Sequence, residues 1–274
     1  MKTGLALCGG GARGVLTASL LARPDVQGLI GEPSLICGTS TGGLIAMMLG
    51  VGHPATTIRD AYRMYCPAIF YRPWWRRGIF SSKYPPAGIE AVAKEMFGSA
   101  TMARCLRPTM AVSFSLPSNR PKIYKSWTDG EDLLRDVARA TSAAPTYFPP
   151  TEAGEVDGGV WANNPSMVAY VEMRRLWPSE TDFRVICLGT GRTDRRIRAS
   201  KASRWGLAGW STHVADLFMD SDAAGVAYQM RALLGTQYVE INPELDGISA
   251  DLDRCDEAHI ARLAHLGDTY QWEA

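Results

Sequence analysis

The sequence predicts a three-layer α/β/α fold built around a central, largely parallel sheet. Short apolar runs that are typical of buried strands alternate with longer segments of helical periodicity along the 274 residues. The first two strand-like runs, residues 4–8 and 34–37, are each followed by a glycine-rich turn and then by a helical pattern. Repeated strand–turn–helix units give parallel strands whose two faces are covered by helices.

The remaining elements follow the same alternation. Further strands are predicted at residues 109–114, 122–126, 184–188 and 237–241. Helices are predicted at residues 13–22, 43–49, 55–64, 86–96, 132–141, 166–176, 213–234 and 255–271. Residues 65–86 look irregular and rich in aromatic, proline and arginine residues, and residues 191–209 look basic and loop-like. Because neither segment resembles a linker, we expect one domain over residues 1–274, with a motif-bearing core at about 1–191 and a helical portion at about 203–274.

The composition narrows the class of protein. A formal net charge of +1 gives no overall attraction for a nucleic acid polymer, so no such partner is expected. The six cysteines are scattered without a CxxC pair, which predicts reduced core thiols and no structural zinc, as in a cytoplasmic protein. No apolar run of about 18 residues is present, so no membrane-spanning helix is expected.

A candidate nucleophile lies in the second strand–turn–helix unit, in the G-x-S-x-G sequence Gly38-Thr39-Ser40-Thr41-Gly42. Glycines lack a Cβ atom, so Gly38 and Gly42 let the backbone bend sharply. Such a turn presents the Ser40 hydroxyl at the sheet edge, above a helix N-terminus whose free N–H groups stabilise negative charge. A turn of no chemical importance has the same composition, so this motif alone leaves both interpretations open.

The loop after the first predicted strand is rich in glycine and has two interpretations. Its sequence is Gly9-Gly10-Gly11-Ala12-Arg13-Gly14. The G-x-G-x-x-G spacing is typical of dinucleotide-binding folds, which need an acidic residue at the end of the next strand. Glu32 precedes that strand instead of ending it. Successive glycines also expose N–H groups that can hold an oxyanion, and this loop and Ser40 would both lie at the carboxyl ends of parallel strands. We therefore favour an oxyanion loop.

A serine nucleophile needs a proton acceptor. The order Ser40, Asp157, His259 would suit an α/β-hydrolase triad, but that fold has several strands before its serine and only about two precede Ser40 here. The better candidate is Asp157 alone, because Gly158 and Gly159 after it permit a close approach. A carboxylate becomes a useful base when it is partly desolvated and within hydrogen-bond reach of the hydroxyl. An ordinary D-G hairpin turn has the same sequence.

Taken together, the ordered motifs resemble those of the patatin-like phospholipase family. That family combines a G-G-G-x-R/K-G loop, a G-x-S-x-G serine and a D-G-G or D-G-A aspartate. The matching residues here are Gly9-Gly10-Gly11-Ala12-Arg13-Gly14, Gly38-Thr39-Ser40-Thr41-Gly42 and Asp157-Gly158-Gly159, with further matches at Ala140-Thr141-Ser142-Ala143-Ala144-Pro145, Asn163-Asn164-Pro165 and Leu188-Gly189-Thr190-Gly191. The match is strong over residues 1–191 and weak beyond, and the short chain is similar to compact bacterial members.

The resemblance implies a lipid acyl hydrolase of the phospholipase A or lysophospholipase type, with a Ser-Asp dyad and no catalytic histidine. Ser40 would attack an ester carbonyl carbon while Asp157 takes its proton, and the glycine-loop amides would hold the oxyanion. An acyl-enzyme would form and release a free fatty acid, with no metal and no cofactor implied. Arg13 would anchor the loop, bind a lipid phosphate or form a salt bridge at the helix N-terminus, and the sequence does not separate these roles.

The expected partners follow from the same resemblance. The substrate would be a phospholipid or another lipid ester, met at the inner face of the membrane by a cytoplasmic protein. Residues 71–80 mix tryptophan, arginine and apolar residues, which suits an interfacial lid or aromatic packing over the sheet. Some compact bacterial members are nucleotide-activated phospholipases in anti-phage defence, so a small nucleotide effector is a further hypothesis. The rival functions are a nucleotide-binding oxidoreductase and a non-catalytic lipid-binding module.

Overall fold

A central sheet organises the protein, whose computed structural model describes residues 1–73, 81–192, 197, 199–206, 209–210 and 213–272. The strands are β1 (Lys2–Leu7), β2 (Leu35–Thr39), β3 (Thr109–Ser115), β4 (Arg120–Lys125), β5 (Glu155–Asp157), β6 (Phe183–Leu188) and β7 (Tyr238–Ile241). Their order is β4-β3-β2-β1-β6-β7, and β5 also pairs with β3. β1, β2, β3, β6 and β7 are mutually parallel, whereas β4 and β5 run antiparallel to β3. The predicted largely parallel sheet is confirmed.

The sequence of β1 shows why the sheet needs helices on both faces. Successive strand side chains point to opposite faces, so Leu5 and Leu7 join one core cluster while Ala6 and Cys8 join the other. All four side chains are buried. A strand that is buried on both faces reads as a continuous apolar run, which is why β1 lacks polar alternation.

Helices form the two outer layers. They are α1 (Gly14–Leu21), α2 (Pro24–Ile30), α3 (Thr41–Gly50), α4 (Ala55–Ile69), α5 (Ala87–Phe97), α6 (Leu134–Thr141), α7 (Ser166–Leu176), α8 (Ala199–Ala202), α9 (Val214–Leu234) and α10 (Glu257–Thr269). The first six helices and α10 contribute to one core cluster, whereas α7 and α9 contribute to the other. Within the described residues, no helix combines the length and the apolarity that crossing a bilayer requires.

Several elements differ from the sequence-based expectation. β5 has three residues and α2 has seven, which is too short for a clear periodic pattern. The expectation of an irregular segment from residue 65 is wrong for its first part, because α4 continues to Ile69 through Pro67. A buried Cys66 and other apolar contacts maintain this last turn despite the missing proline N–H group. The short helix α8 likewise lies in a segment expected to be a loop, and residues 74–80 of the expected lid lie outside the described residues.

Candidate active site

Ser40 lies on a sharp turn between β2 and α3. Its φ of 54° and ψ of −124° fall in a region that L-residues with side chains avoid. A Cβ atom at Gly38 would overlap the backbone of Gly42, and one at Gly42 would overlap the carbonyl group of Leu7. Both glycines are therefore required by close backbone contacts.

The turn at Ser40 is anchored from α6. The backbone N–H of Ser40 donates to the Thr141 hydroxyl over 3.0 Å, and that hydroxyl donates to the carbonyl oxygen of Val112 over 2.6 Å. On the preceding residue, the Thr39 hydroxyl donates to the carbonyl oxygen of Ala162 over 2.6 Å. These side-chain bonds stabilise a backbone conformation that is unfavourable in isolation.

The strand β3 brings Ser40 and Asp157 together. Its residue Val112 pairs with Thr39, at the end of β2, and its next residue Ser113 pairs with Asp157, at the end of β5. Thus β2 and β5 lie end to end on the same side of β3 and approach each other with their carboxyl ends. The residues that follow, Ser40 and Gly158, therefore lie at the same point of the sheet.

Asp157 is a buried carboxylic acid that lines the same cavity as Ser40. Its side chain is held by a 2.7 Å hydrogen bond from the Gly159 N–H, and the residue is only 4% exposed. Burial raises the pKa of Asp157 to about 7, although hydrogen bonds from the Ser40 side chain and the Gly159 N–H both favour the carboxylate. A carboxylic acid with this pKa exchanges protons readily at neutral pH, as a general base must.

The glycine loop lies beside Ser40, and only some of its backbone N–H groups have hydrogen-bond acceptors within the described residues. The N–H of Gly9 donates to the Asn163 carbonyl oxygen over 3.1 Å, and the N–H of Ala12 donates to the Leu252 carbonyl oxygen over 2.7 Å. Between them, the N–H groups of Gly10 and Gly11 have no hydrogen-bond acceptor in the described part of the chain, and both residues line the same cavity as Ser40. These two N–H groups are free to donate hydrogen bonds to a negatively charged oxygen.

Arg13 is part of the framework of the glycine loop. It is buried, and its guanidinium group donates to the carbonyl oxygens of Gly10 and Gly191 over 3.4 and 3.3 Å. It is absent from the described lining of the cavity. Of the three roles open from the sequence, these contacts favour the anchoring of the loop.

Three motifs found in the sequence contain residues that position the candidate active site, and the sequence analysis gave these residues no role. Thr190 donates to the Gly9 carbonyl oxygen over 2.9 Å, and its side chain occupies the space that a Cβ atom at Gly10 would need. Asn163 contacts the glycine loop through its carbonyl oxygen, and Thr141 holds the turn of Ser40. The sequence signal was present in the motifs themselves, but the partners of each side chain depend on loops that meet only in the folded chain.

A mostly apolar cavity of about 350 Å³ opens onto these groups. Ser40, Asp157, Gly10 and Gly11 contribute its polar end. Most of the apolar lining comes from α3, α4 and α5, from residues 144–148 and from the start of α9, and it includes Leu44, Met48, Ile69, Ile89, Val92, Ala93, Phe97, Phe148 and Phe218, together with Phe70 after α4. Sequence reasoning did not find this cavity, because its walls come from helices whose facing sides are set by the tertiary packing.

None of the four histidines, all of which lie in the described part of the chain, lines this cavity. His259 is buried in α10, and its Nε2 atom has no hydrogen-bond partner among the described residues. Burial lowers the pKa of His259 below its ordinary value, so this imidazole is neutral at pH 7. The acidic residue of a dinucleotide site is also missing here, because Glu32 precedes β2 and its side chain is 93% exposed.

Comparisons with known proteins assign the chain to a family. A family model described as "Patatin-like phospholipase" matches residues 5–170. Patatin-like protein 1 of Arabidopsis thaliana is 29% identical, over 98% of this chain and 81% of its own length. A protein of Pseudomonas aeruginosa named cGAMP-activated phospholipase is also 29% identical, over 96% of this chain and 85% of its own.

A solved structure has the same fold. VipD from Legionella pneumophila superimposes with a TM-score of 0.58 at 13% identity, over 97% of this chain, which spans 65% of VipD. At that identity the likeness concerns the fold, whereas the family model covers well over half of the present sequence. The chain therefore belongs to the patatin-like phospholipase family and is a lipid ester hydrolase.

Proposed function

We propose that the protein cleaves phospholipid acyl esters through a catalytic dyad of Ser40 and Asp157. The observation that carries the proposal is the convergence of Ser40 and a buried Asp157 carboxyl, with its pKa raised to about 7, at the lining of one cavity. A general base works best when its pKa is close to the operating pH. The free Gly10 and Gly11 amides beside Ser40 support the same chemistry.

The proposed reaction has two halves. In the first, Asp157 takes the hydroxyl proton while the Ser40 oxygen bonds to the ester carbonyl carbon, and the Gly10 and Gly11 amides stabilise the oxyanion. The ester C–O bond then breaks, and Asp157 returns the proton to the departing alcohol oxygen. In the second half, Asp157 takes a proton from water, which attacks the acyl-enzyme. The bond between the acyl carbon and the Ser40 oxygen then breaks, the free fatty acid leaves, and Asp157 returns the proton to the Ser40 oxygen.

The cavity supports a long-chain acyl group as the bound part of the substrate. Ser40 and Asp157 lie in a lining that consists mostly of aliphatic and aromatic side chains. Each methylene group that moves from water into such surroundings contributes about 0.8 kcal/mol. The apolar walls therefore favour fatty acyl esters over short, polar ones.

The direct test is fatty acid release from bilayers of mixed phospholipids, measured by mass spectrometry. We expect Ser40→Ala and Asp157→Asn each to reduce the rate by at least about 10³-fold while circular dichroism stays unchanged. The exposed residues Ser118 and Asp136 provide the matched controls Ser118→Ala and Asp136→Asn, which should keep full activity. Full activity in either dyad variant would refute the proposal.

A membrane surface is proposed as the source of the substrate, with the rim of the cavity facing it. Val160 and Phe218 line the cavity and are nevertheless 50% and 67% exposed. The residues come from two elements in contact, the turn Gly158–Val160 and α9. Apolar side chains that surround an acyl cavity and point to solvent are suited to contact with lipid.

Flotation with anionic liposomes tests the rim. We expect Phe218→Ser to reduce the liposome-bound fraction several-fold, whereas Tyr228→Ser should leave it unchanged. Tyr228 is a matched control because it is 75% exposed on the same helix and does not line the cavity. Equal binding of both variants and the parent protein would contradict membrane contact by the rim, but it would not bear on the roles of Ser40 and Asp157.

The proposal extends to activation by a small nucleotide, and the support is the name of the cGAMP-activated relative. Fatty acid release should be measured with and without cGAMP on the same bilayers. We expect at least a tenfold rise in rate with cGAMP. Equal rates with and without cGAMP would contradict activation by this nucleotide, but they would not bear on the hydrolase function.

A further inference from the structure

Two cysteines far apart in the sequence meet at the wall of the acyl cavity. The sulfur atoms of Cys66, in α4, and Cys255, just before α10, are 2.9 Å apart. A disulfide bond measures about 2.05 Å, so the two sulfurs need to move closer by about 0.9 Å to be bonded. Cys66 lines the cavity and is buried, whereas Cys255 is only partly buried.

We propose that Cys66 and Cys255 form an oxidative modification site, at which a peroxide cross-links α4 to the segment before α10. The peroxide oxygen first adds to the more accessible sulfur, so that the Cys255 thiol becomes a sulfenic acid and one water molecule leaves. The Cys66 sulfur then attacks the Cys255 sulfur, the S–O bond breaks and a second water molecule leaves. Two thiols and one peroxide thus give one disulfide and two waters.

The segment that carries Cys255 contacts the glycine loop and the residues just before α5 through hydrogen bonds and an ion pair. Its residue Leu252 accepts the hydrogen bond from the Ala12 N–H of the glycine loop, and Asp253 accepts one from the Tyr84 hydroxyl and forms an ion pair with Lys83. A covalent link to α4 would join this support to the wall of the cavity. The cross-link therefore fixes the glycine loop and the acyl cavity to each other.

The other close pair of cysteines differs in ways that disfavour a bond. The sulfurs of Cys8 and Cys187 are 3.5 Å apart, and both residues are buried at neighbouring strands of the sheet. Their separation is set by the hydrogen-bonded register of β1 and β6, and an oxidant has no exposed sulfur to reach. We therefore expect the cross-link at Cys66 and Cys255 alone.

The Cys255 thiol is also distinct from a catalytic nucleophile. Its hydrogen bond with Cys66, together with burial, raises the pKa of Cys255 above that of a free thiol. The thiolate reacts with peroxide and the thiol hardly does, so the pair stays reduced under mild conditions and needs a sustained exposure to oxidant.

The test uses the full chain, reduced, freed of reductant and then exposed to hydrogen peroxide. Non-reducing peptide mapping should show a peptide pair that joins Cys66 to Cys255 with the loss of two hydrogens. The melting temperature should rise by about 5–10 °C, since the bond closes a long loop in the unfolded chain, and a reductant should reverse the rise. Both readouts are independent of lipid hydrolysis.

Variants make the assignment specific. Cys255→Ser should abolish the cross-linked peptide and the rise in melting temperature, whereas Cys105→Ser, which removes another partly buried thiol, should keep both. The proposal is overturned if peroxide oxidises the protein without giving the Cys66–Cys255 peptide, or if that peptide forms without raising the melting temperature. The peptide map of the unmodified chain decides the question even where a variant fails to fold.

Discussion

Two unfavourable features of single residues coincide at the candidate active site. Ser40 is a non-glycine residue with a positive φ, which costs on the order of 1–3 kcal/mol, and Asp157 is a carboxyl buried at the cost of its charge. A fold that only needed stability would have no reason to place both at one cavity. Strain and burial of this kind accumulate where chemistry requires a fixed hydroxyl and a tuned base.

The pKa of Asp157 predicts how hydrolysis depends on pH. The carboxylate accepts the proton of Ser40, so activity should require the deprotonated form and rise with pH through about 7. With a soluble p-nitrophenyl ester, kcat/KM at pH 6 should be roughly one tenth of its plateau above pH 8. A profile that is flat from pH 5 to 9, or that falls as pH rises, would contradict the role of Asp157 as the base.

The same shift predicts that Asp157 destabilises the fold. Its pKa is 3.8 in the unfolded chain and about 7 in the folded one, so the unfolded state binds fewer protons between these values and stability falls as pH rises through this window. The full cost is at most about 4 kcal/mol above pH 7. Asp157→Asn should therefore raise the melting temperature by several degrees at pH 8, and the gain should shrink as pH is lowered toward 4.

Differential scanning calorimetry of the parent protein and the variant at pH 8 and pH 4.5 measures this effect. The exposed Asp136→Asn variant controls for the loss of one charge and should shift the melting temperature little at either pH. A lower melting temperature for Asp157→Asn at pH 8 would show that the carboxylate is stabilising, contrary to the raised pKa.

Among the elements, the end-to-end arrangement of β2 and β5 on β3 creates the site. The sequence predicted β2, its glycine turn and Ser40, because a strand, a turn and a helix leave local signals. It also identified Asp157, but only through its glycines and the family motif. The three residues of β5 carry no periodicity, and their pairing with β3 is a contact between positions about 40 residues apart in the chain. The meeting of Ser40 and Asp157 therefore could not be derived from local patterns.

The glycine loop depends on a residue that no local pattern reveals. A Cβ atom at Gly11 would overlap the carbonyl group of Leu252, and the φ of Gly11 is +57°. We expect Gly11→Ala to displace the loop and reduce kcat by about 10²–10³-fold, the usual effect of losing an oxyanion donor.

Gly31 provides a matched control for that variant. Its φ of +58° is likewise positive, but a Cβ atom there has no neighbour within 4 Å. Gly31→Ala should therefore lower stability by about 1–3 kcal/mol and leave kcat unchanged. Equal activity of the two variants in the p-nitrophenyl ester assay would contradict a specific role of Gly11 in the oxyanion loop.

The apolar cavity lies between helices α3, α4 and α5 and the carboxyl ends of β2 and β5, and we propose that it holds the acyl chain. Ala93 lies in the cavity wall, on α5, and is buried. We expect Ala93→Phe to fill part of the cavity, so that the ratio of kcat/KM for a sixteen-carbon ester to that for a four-carbon ester falls by at least about tenfold. An unchanged ratio would place the acyl chain elsewhere. Gly31→Ala again serves as a variant remote from the cavity.

Labelling of the intact protein by a fluorophosphonate, followed by mass spectrometry of its peptides, probes the reactivity of the Ser40 hydroxyl itself. We predict a single adduct on Ser40, formed at least about 100-fold more slowly in Asp157→Asn and at an unchanged rate in Asp136→Asn. An adduct on a different serine, or the same labelling rate without the Asp157 carboxylate, would contradict the activation of Ser40 by Asp157.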